Sequence, residues 1–272
     1  MSVPPAFSSA RPIRHMKGFP SANSYDQFAY SVRTQRRYLL KLQTRRFLRA
    51  IRVTAERRAE ATKAGSFLWR AQRGGKTLEL PIDGTDETYL EDAPFEEARM
   101  KPLRDLATEG RANPKGIPYL YLATHRDTAA AEVRPWKGGI VSIGQFRVVR
   151  DIRLVNTTRF SKRGSYPFKQ PNPTRREEAV WGDIDHAFAV PTTPTDNESD
   201  YVPTQVLAEL FRESGFDGVG YRSSYGRGHN IVLFDVDLAE QVNGFLLRVK
   251  DLRFDFDVED RFGYSTKKPS AT

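Results

Sequence analysis

The 272-residue sequence contains no cysteine, which excludes disulfides, thiol nucleophiles and cysteine-based zinc sites and suits a reducing compartment. It also has no run approaching the ~20 apolar residues of a membrane span. The opening MSVPPAFSSARPIRHMKG lacks the apolar core of a signal peptide, so the reading is of a soluble, cytoplasmic chain without a membrane span. Histidine is sparse, and His15, His125, His186 and His229 show no ligand spacing. The one local group with metal-binding chemistry, Asp183-Ile184-Asp185-His186, reads as a solvated helix face. Residues 251–260 alternate acids with Phe and Val but lack the Gly and terminal Glu of a calcium loop, so they read as a half-buried strand. No metal is expected. Gly74-Gly75-Lys76-Thr77 resembles the end of a phosphate-binding loop, but Arg70 stands where that loop needs its first Gly. No Gly-x-Ser-x-Gly elbow exists, and His229 is too close in sequence to Ser223 and Ser224 for a recurring triad layout.

What is present supports a folded chain: 39% apolar residues, with 17 Phe and 11 Tyr. The net charge of +9 is unevenly spread. Residues 1–65 hold 14 Lys/Arg against 3 Asp/Glu, or +11, and residues 66–272 hold 29 against 31, or −2. Such an arm attracts nucleic acid, an acidic partner protein or a membrane surface, with residues 33–58 as the expected contact for nucleic acid or an acidic partner.

The pattern predicts an α+β fold in three parts. Residues 1–65 form a basic, partly disordered leader, flexible to about residue 25, followed by one or two amphipathic helices. In these helices Leu40, Phe47, Ile51 and Ala55 recur at helical spacing, opposite Arg45, Arg49 and Arg52. Gly65 and Ser66 break that pattern, and residues 66–250 form the main domain, entered by a strand at Phe67-Leu68-Trp69-Arg70. Residues 251–272 complete the chain as a strand and tail. Within the main domain, residues 74–110 read as a long, partly irregular excursion. Strands are predicted near residues 119–122, 140–143, 231–234 and 245–249, with helices near 128–133 and 204–214.

The informative segments are GRANPKGIPYLYLA, from Gly110, and TAAAEVRPWKGG, from Thr128. An Arg on a Gly/Asn/Pro-rich turn leads into an apolar strand with Tyr121, which feeds a helix of small residues bearing Glu132. On composition alone Glu132 and Arg111 are surface residues and Tyr121 a core ring. Together, however, the segments resemble the RES-domain family, named for an Arg, a Glu and a Ser. Its pattern runs from a Gly-Arg-x-Asn-Pro-Lys-Gly turn through a Tyr-containing strand to a Glu after small residues. Arg111, Tyr121 and Glu132 occupy those positions, and Arg70 fits the Arg of the family's opening strand. The Ser corresponds to Ser223 in GYRSSYGRGHNIVLFD, ahead of an apolar strand with Asn230, and Ser224 is its rival. The long interval between Glu132 and Ser223 and the basic arm depart from the family's small toxins.

The resemblance implies a fold similar to the ADP-ribosyltransferase toxins and NAD as substrate, with hydrolysis, phosphorolysis or ADP-ribose transfer as outcomes. It implies a toxin with an antitoxin partner. Glu132, Arg111 and Ser223 are the expected catalytic residues, and Arg70, Arg111, Tyr121, Ser223 and Asn230 the expected NAD-binding residues. The alternative is a nucleic-acid-binding protein that uses the Arg-rich N-terminal helices.

Overall fold

A computed structural model describes residues 18–103, 106–164, 166, 169–190, 198–253 and 256. In chain order the elements are α1 (Ser24–Thr34), α2 (Leu42–Ala55), β1 (Ala59–Thr62), β2 (Phe67–Arg73), β3 (Lys76–Pro81), β4 (Thr88–Ala93), α3 (Glu97–Met100), β5 (Leu120–Ala123), α4 (Arg126–Glu132), β6 (Ile140–Val148), β7 (Ile152–Asn156), α5 (Pro173–Ala189), α6 (Val202–Glu213), β8 (Gly218–Arg222), β9 (His229–Leu233) and β10 (Ala239–Arg248). Eight strands form one sheet in the order β1-β7-β8-β9-β5-β2-β6-β10, and β3 with β4 form a separate hairpin. Pairing in the large sheet is antiparallel except between β7 and β8, which are parallel. The expected α+β class is observed.

Alternation along β5 sends Tyr121 and Ala123 to one face and Leu120 and Leu122 to the other. On the first face α1, α2, α5 and α6 supply Phe28, Phe47, Ile51, Trp181, Phe188, Leu207 and Phe211, which cluster with Val155, Val219, Tyr221 and Val232 of the sheet. Further along that face α4 packs Ala129 onto Ala71, Ala123, Val141 and Ile143; its small residues let the helix lie close to the strands. The second face buries Leu68, Leu120, Leu122, Phe146, Ile231 and Leu233 with Met100 of α3. Helix α5 starts where its local chemistry dictates. Asn172 accepts a hydrogen bond from the Arg175 amide at 2.9 Å, and Pro173 occupies the first turn. Trp181, Ile184 and Phe188 then form its buried stripe.

The N-terminal helices are built into this core. Phe47, Ile51 and Ala55 are buried, Leu40 packs against the same cluster, and Arg45, Arg49 and Arg52 are exposed, as the spacing predicts. Arg58 is 1% exposed, pairs with Glu177 at 2.8 Å and lies 4.4 Å from the centre of the Trp181 ring. Burial holds its pKa below the usual arginine value.

Four expectations need correction or qualification. Residues 18–25 are not loose: Phe19 is buried with its ring 5.6 Å from that of Phe47, and the Arg176 guanidinium donates to the Phe19 and Pro20 carbonyls. Residues 1–17 lie outside the described residues. The sheet is entered at β1, before Gly65, where Ala-Glu-Ala-Thr pairs with β7 as a short edge strand whose alternation of alanine with polar residues is too weakly apolar to betray it. The excursion over residues 74–110 contains the β3–β4 hairpin and α3. The strand expected within residues 251–260 falls mostly outside the described residues, and residues 251–253 and 256 are not in a strand. Among the described residues no helix is long and apolar enough to cross a membrane.

Candidate active site

The site begins at the turn before β5. Tyr121 sends its hydroxyl back to this turn, donating to Asn113 Oδ1 at 2.7 Å and accepting from the Ala112 amide at 2.9 Å. Asn113 donates in turn to the carbonyls of Thr108 and Ile117. A Cβ at Gly110 would lie 2.5 Å from the Tyr121 hydroxyl and 2.7 Å from Asn113 Oδ1, so only glycine fits this crossing. Burial, with Tyr221 adding to it, pushes the Tyr121 pKa up, and the hydroxyl stays protonated. The Gly-Arg-Ala-Asn segment is therefore a rigid platform that presents Arg111.

Glu132 ends α4 over the same face of the sheet. Its Oε1 accepts from Ser223 Oγ at 2.7 Å and from Asn230 Nδ2 at 2.6 Å. Among the described residues nothing donates to its Oε2. Ser223 and Asn230 are each 7% exposed, and Ser223 Oγ also accepts from the Tyr225 amide at 3.1 Å. The sheet sets this meeting: Tyr221, Asn230 and Ala123 are successive cross-strand partners on β8, β9 and β5, so their side chains share a face. The Tyr221 hydroxyl has its pKa raised by burial, opposed by the charge of Arg111 and reinforced by that of Glu132. Its ring thus lies within electrostatic reach of both.

The last turn of α5 meets the site from the other side. A helix C-terminus leaves carbonyls without intrahelical partners, and here they are taken by site residues. Arg111 donates to the Phe188 carbonyl at 2.5 Å, and Ser224 to the Ala189 carbonyl at 2.7 Å. The two rival serines thus have different partners: Ser223 meets Glu132, and Ser224 meets backbone. Arg70 is brought near Tyr121 but makes no hydrogen bond to Glu132. Strands β2 and β5 pair at Trp69 and Ala123, and beyond that point the Arg70 guanidinium donates to the Tyr121 carbonyl at 3.1 Å. Its Nε is buried with no hydrogen-bond partner, and burial pulls its pKa down to about 10. A desolvated guanidinium with an unsatisfied donor is suited to an anion.

Sequence reasoning missed Tyr221 and Asp185. Asp185, read as part of a solvated face, is 2% exposed; its partners on β8 and after β7 are distant in sequence. His229 does not approach a serine in a hydrogen bond: its Nε2 lies 3.3 Å from Thr158 Oγ1. Gly74 and Gly75 form the turn from β2 to β3. A cleft of about 360 Å³ is lined by Trp69, His125 and Phe245, among others, and another of about 390 Å³ by Phe19, Arg58 and Glu177, among others. Neither is lined by Glu132, so the site is defined by its hydrogen bonds and charges rather than by cavity size. Among the described residues no group of three His, Cys, Asp or Glu side chains could hold a metal ion.

No curated protein matches the chain. Among solved structures, the crystal structure of the M. tuberculosis MbcT-MbcA toxin-antitoxin complex aligns with a TM-score of 0.38 at 14% identity, covering 72% of this chain and 91% of that one. A family model, the RES domain, matches residues 86–257. That span takes in Arg111, Tyr121, Glu132, Ser223 and Asn230, and the chain belongs to the RES-domain family.

Proposed function

We propose that this protein consumes NAD by breaking the bond between nicotinamide and ribose. The observation that carries the reading is the state of Glu132. Ser223 and Asn230 fix one carboxylate oxygen, and Oε2 is left for a ribose hydroxyl or an incoming nucleophile. As the C1′–N bond breaks, its electron pair leaves with nicotinamide and positive charge develops on the ribose. A carboxylate held in place stabilises that charge without reorganising. A nucleophile then bonds to C1′ and gives up its proton, and the reaction is hydrolysis, phosphorolysis or ADP-ribose transfer according to whether water, phosphate or a protein side chain attacks. The unsatisfied Arg70 Nε and the forked Arg111 suit the pyrophosphate, and the half-buried Tyr121 offers ring surface to the nicotinamide.

Membership of the family motivates a biological setting: a toxin, held in check by an antitoxin, whose host would otherwise lose its NAD. The test is to incubate the purified protein with NAD, with and without phosphate, and to identify products by mass. Release of nicotinamide with ADP-ribose, with its phosphorylated form or with modified protein supports the reading and names the acceptor; undiminished NAD refutes it.

A second reading concerns the outer face of α2. Arg45, Arg46 and Arg49 are exposed and, among the described residues, make no ion pair with an acid, and Arg36 and Arg37 add to them from the α1–α2 connection. This face suits phosphates or an acidic partner. Binding of a labelled DNA or RNA duplex that weakens steeply with salt would support the nucleic-acid half.

A further inference from the structure

Ser223 is short, and its hydroxyl meets Glu132 only if the main chain around it is held to within a fraction of an ångström. The two residues that flank it are both fastened to one face of α5. Before it, the Arg222 amide donates to Asp185 Oδ1 at 3.1 Å, and the Arg222 guanidinium reaches Asp185 Oδ2 at 3.1 Å. After it, Ser224 Oγ donates to the Ala189 carbonyl at 2.7 Å. Asp185 and Ala189 are four residues apart, one turn of helix, and so lie on the same face.

We propose that Asp185 and Ser224 are positioning residues that clamp both neighbours of Ser223 and thereby aim Ser223, and through it Glu132. This deepens the NAD-cleavage reading and rests on it. A carboxylate that is 2% exposed is costly to bury and needs compensation. Asp185 has it: besides Arg222, Thr157 Oγ1 donates to Asp185 Oδ1 at 2.8 Å and to the Gly220 carbonyl at 3.1 Å. Yet the Arg222 side chain is 66% exposed, so the ion pair is largely solvated at one end. What the buried carboxylate fixes is backbone, at the point where β8 ends and the Ser223 loop begins. The far side of that loop is tied to α4, with Thr128 Oγ1 donating to the Arg227 carbonyl at 2.5 Å. The loop is therefore strung between α5 and the helix that carries Glu132.

Neither clamp residue contacts Glu132 in a hydrogen bond, which separates their role from that of Ser223. D185A and S224A should each lower kcat about 10- to 100-fold, as expected when a reacting group is misplaced by an ångström, while KM for NAD moves less than about threefold. D185N keeps an oxygen for the Arg222 amide and should retain activity within about threefold of wild type. If D185A fails to fold, S224A still decides, because it removes one bond from an exposed hydroxyl. Amide exchange at Tyr225, whose N–H is bonded to Ser223 Oγ, reports the same geometry without turnover and should quicken about tenfold in both alanine variants. Wild-type kcat and unchanged Tyr225 exchange in folded D185A and S224A would overturn the clamp. Should wild-type protein leave NAD intact, the NAD reading fails, and the exchange measurement alone then judges the clamp.

Discussion

Replacing Glu132 by Gln is the most direct perturbation of the proposed chemistry, because it removes a charge while keeping the shape. Its effect on the rate follows from Coulomb's law. A carboxylate roughly 4 Å from a developing unit positive charge, at an effective dielectric constant of about 20, stabilises it by about 4 kcal/mol. Loss of that term slows the chemical step by roughly 1000-fold. The effect on the fold should be small. The amide oxygen can still accept from Ser223 and Asn230, which now lie 2.7 and 2.6 Å from Glu132 Oε1. Each bond falls from charge-assisted to neutral strength, a loss of about 1 kcal/mol, and the melting temperature should drop by only a few degrees. Nicotinamide release at saturating NAD, measured beside thermal denaturation, separates the two effects. A folded Glu132→Gln protein with kcat within tenfold of wild type would refute the assignment of Glu132.

Other perturbations probe the surroundings. Arg111→Lys keeps the charge but loses the fork that reaches the Phe188 carbonyl, so KM for NAD should rise about tenfold with a smaller change in kcat; an unchanged KM would remove Arg111 from the substrate site. Asp183 is pushed up from 3.8 to about 6, first by burial and then by Asp26. The folded state therefore holds a proton that the unfolded chain releases near pH 4, so the stability from this group is full below that pH and is lost as the pH rises through 6. Asp183→Asn should accordingly raise the melting temperature at pH 7.5, by up to about 3 kcal/mol of stability, with much less gain at pH 4.5; equal gains at both would contradict the titration. Deleting residues 1–58 removes α1, α2 and Arg58 and strips cover from Trp181 and Phe211, so the truncated chain should aggregate on size-exclusion chromatography. A monomeric truncation as heat-resistant as the full chain would show that the helices are an appendage.

The parts of the site that could be read from the sequence are those whose signal is local. Glu132 follows three alanines, Asn230 lies on an apolar strand, and Arg111 sits in a turn whose Gly and Asn are dictated by the crossing under Tyr121. Which serine meets Glu132 was not readable, because Ser223 and Ser224 are adjacent and only the end of β8 and the last turn of α5 decide which way each hydroxyl points. Asp185 was seen as chemistry but given the wrong surroundings: its partners, the buried Thr157 and the Arg222 at the end of β8, are 28 and 37 residues away. The amphipathic stripe of α2 was plain, but β1 was hidden because an edge strand of alternating alanine and polar residues has too weakly apolar a face to announce it.

The order of strands has a consequence for synthesis. Strands β8 and β9 come late in the chain but stand in the middle of the sheet, between β7 and β5. Until they emerge from the ribosome, the strands of this sheet already made form two separate groups, β1 with β7 and β5 with β2 and β6. Asn230 arrives on β9 and Ser223 on the connection that precedes it, so the residue that bears the carboxylate waits through 91 residues of translation for its serine. A nascent chain that stops short of β9 therefore has no assembled site, because Glu132 lacks both of its donors until Ser223 and Asn230 have been made.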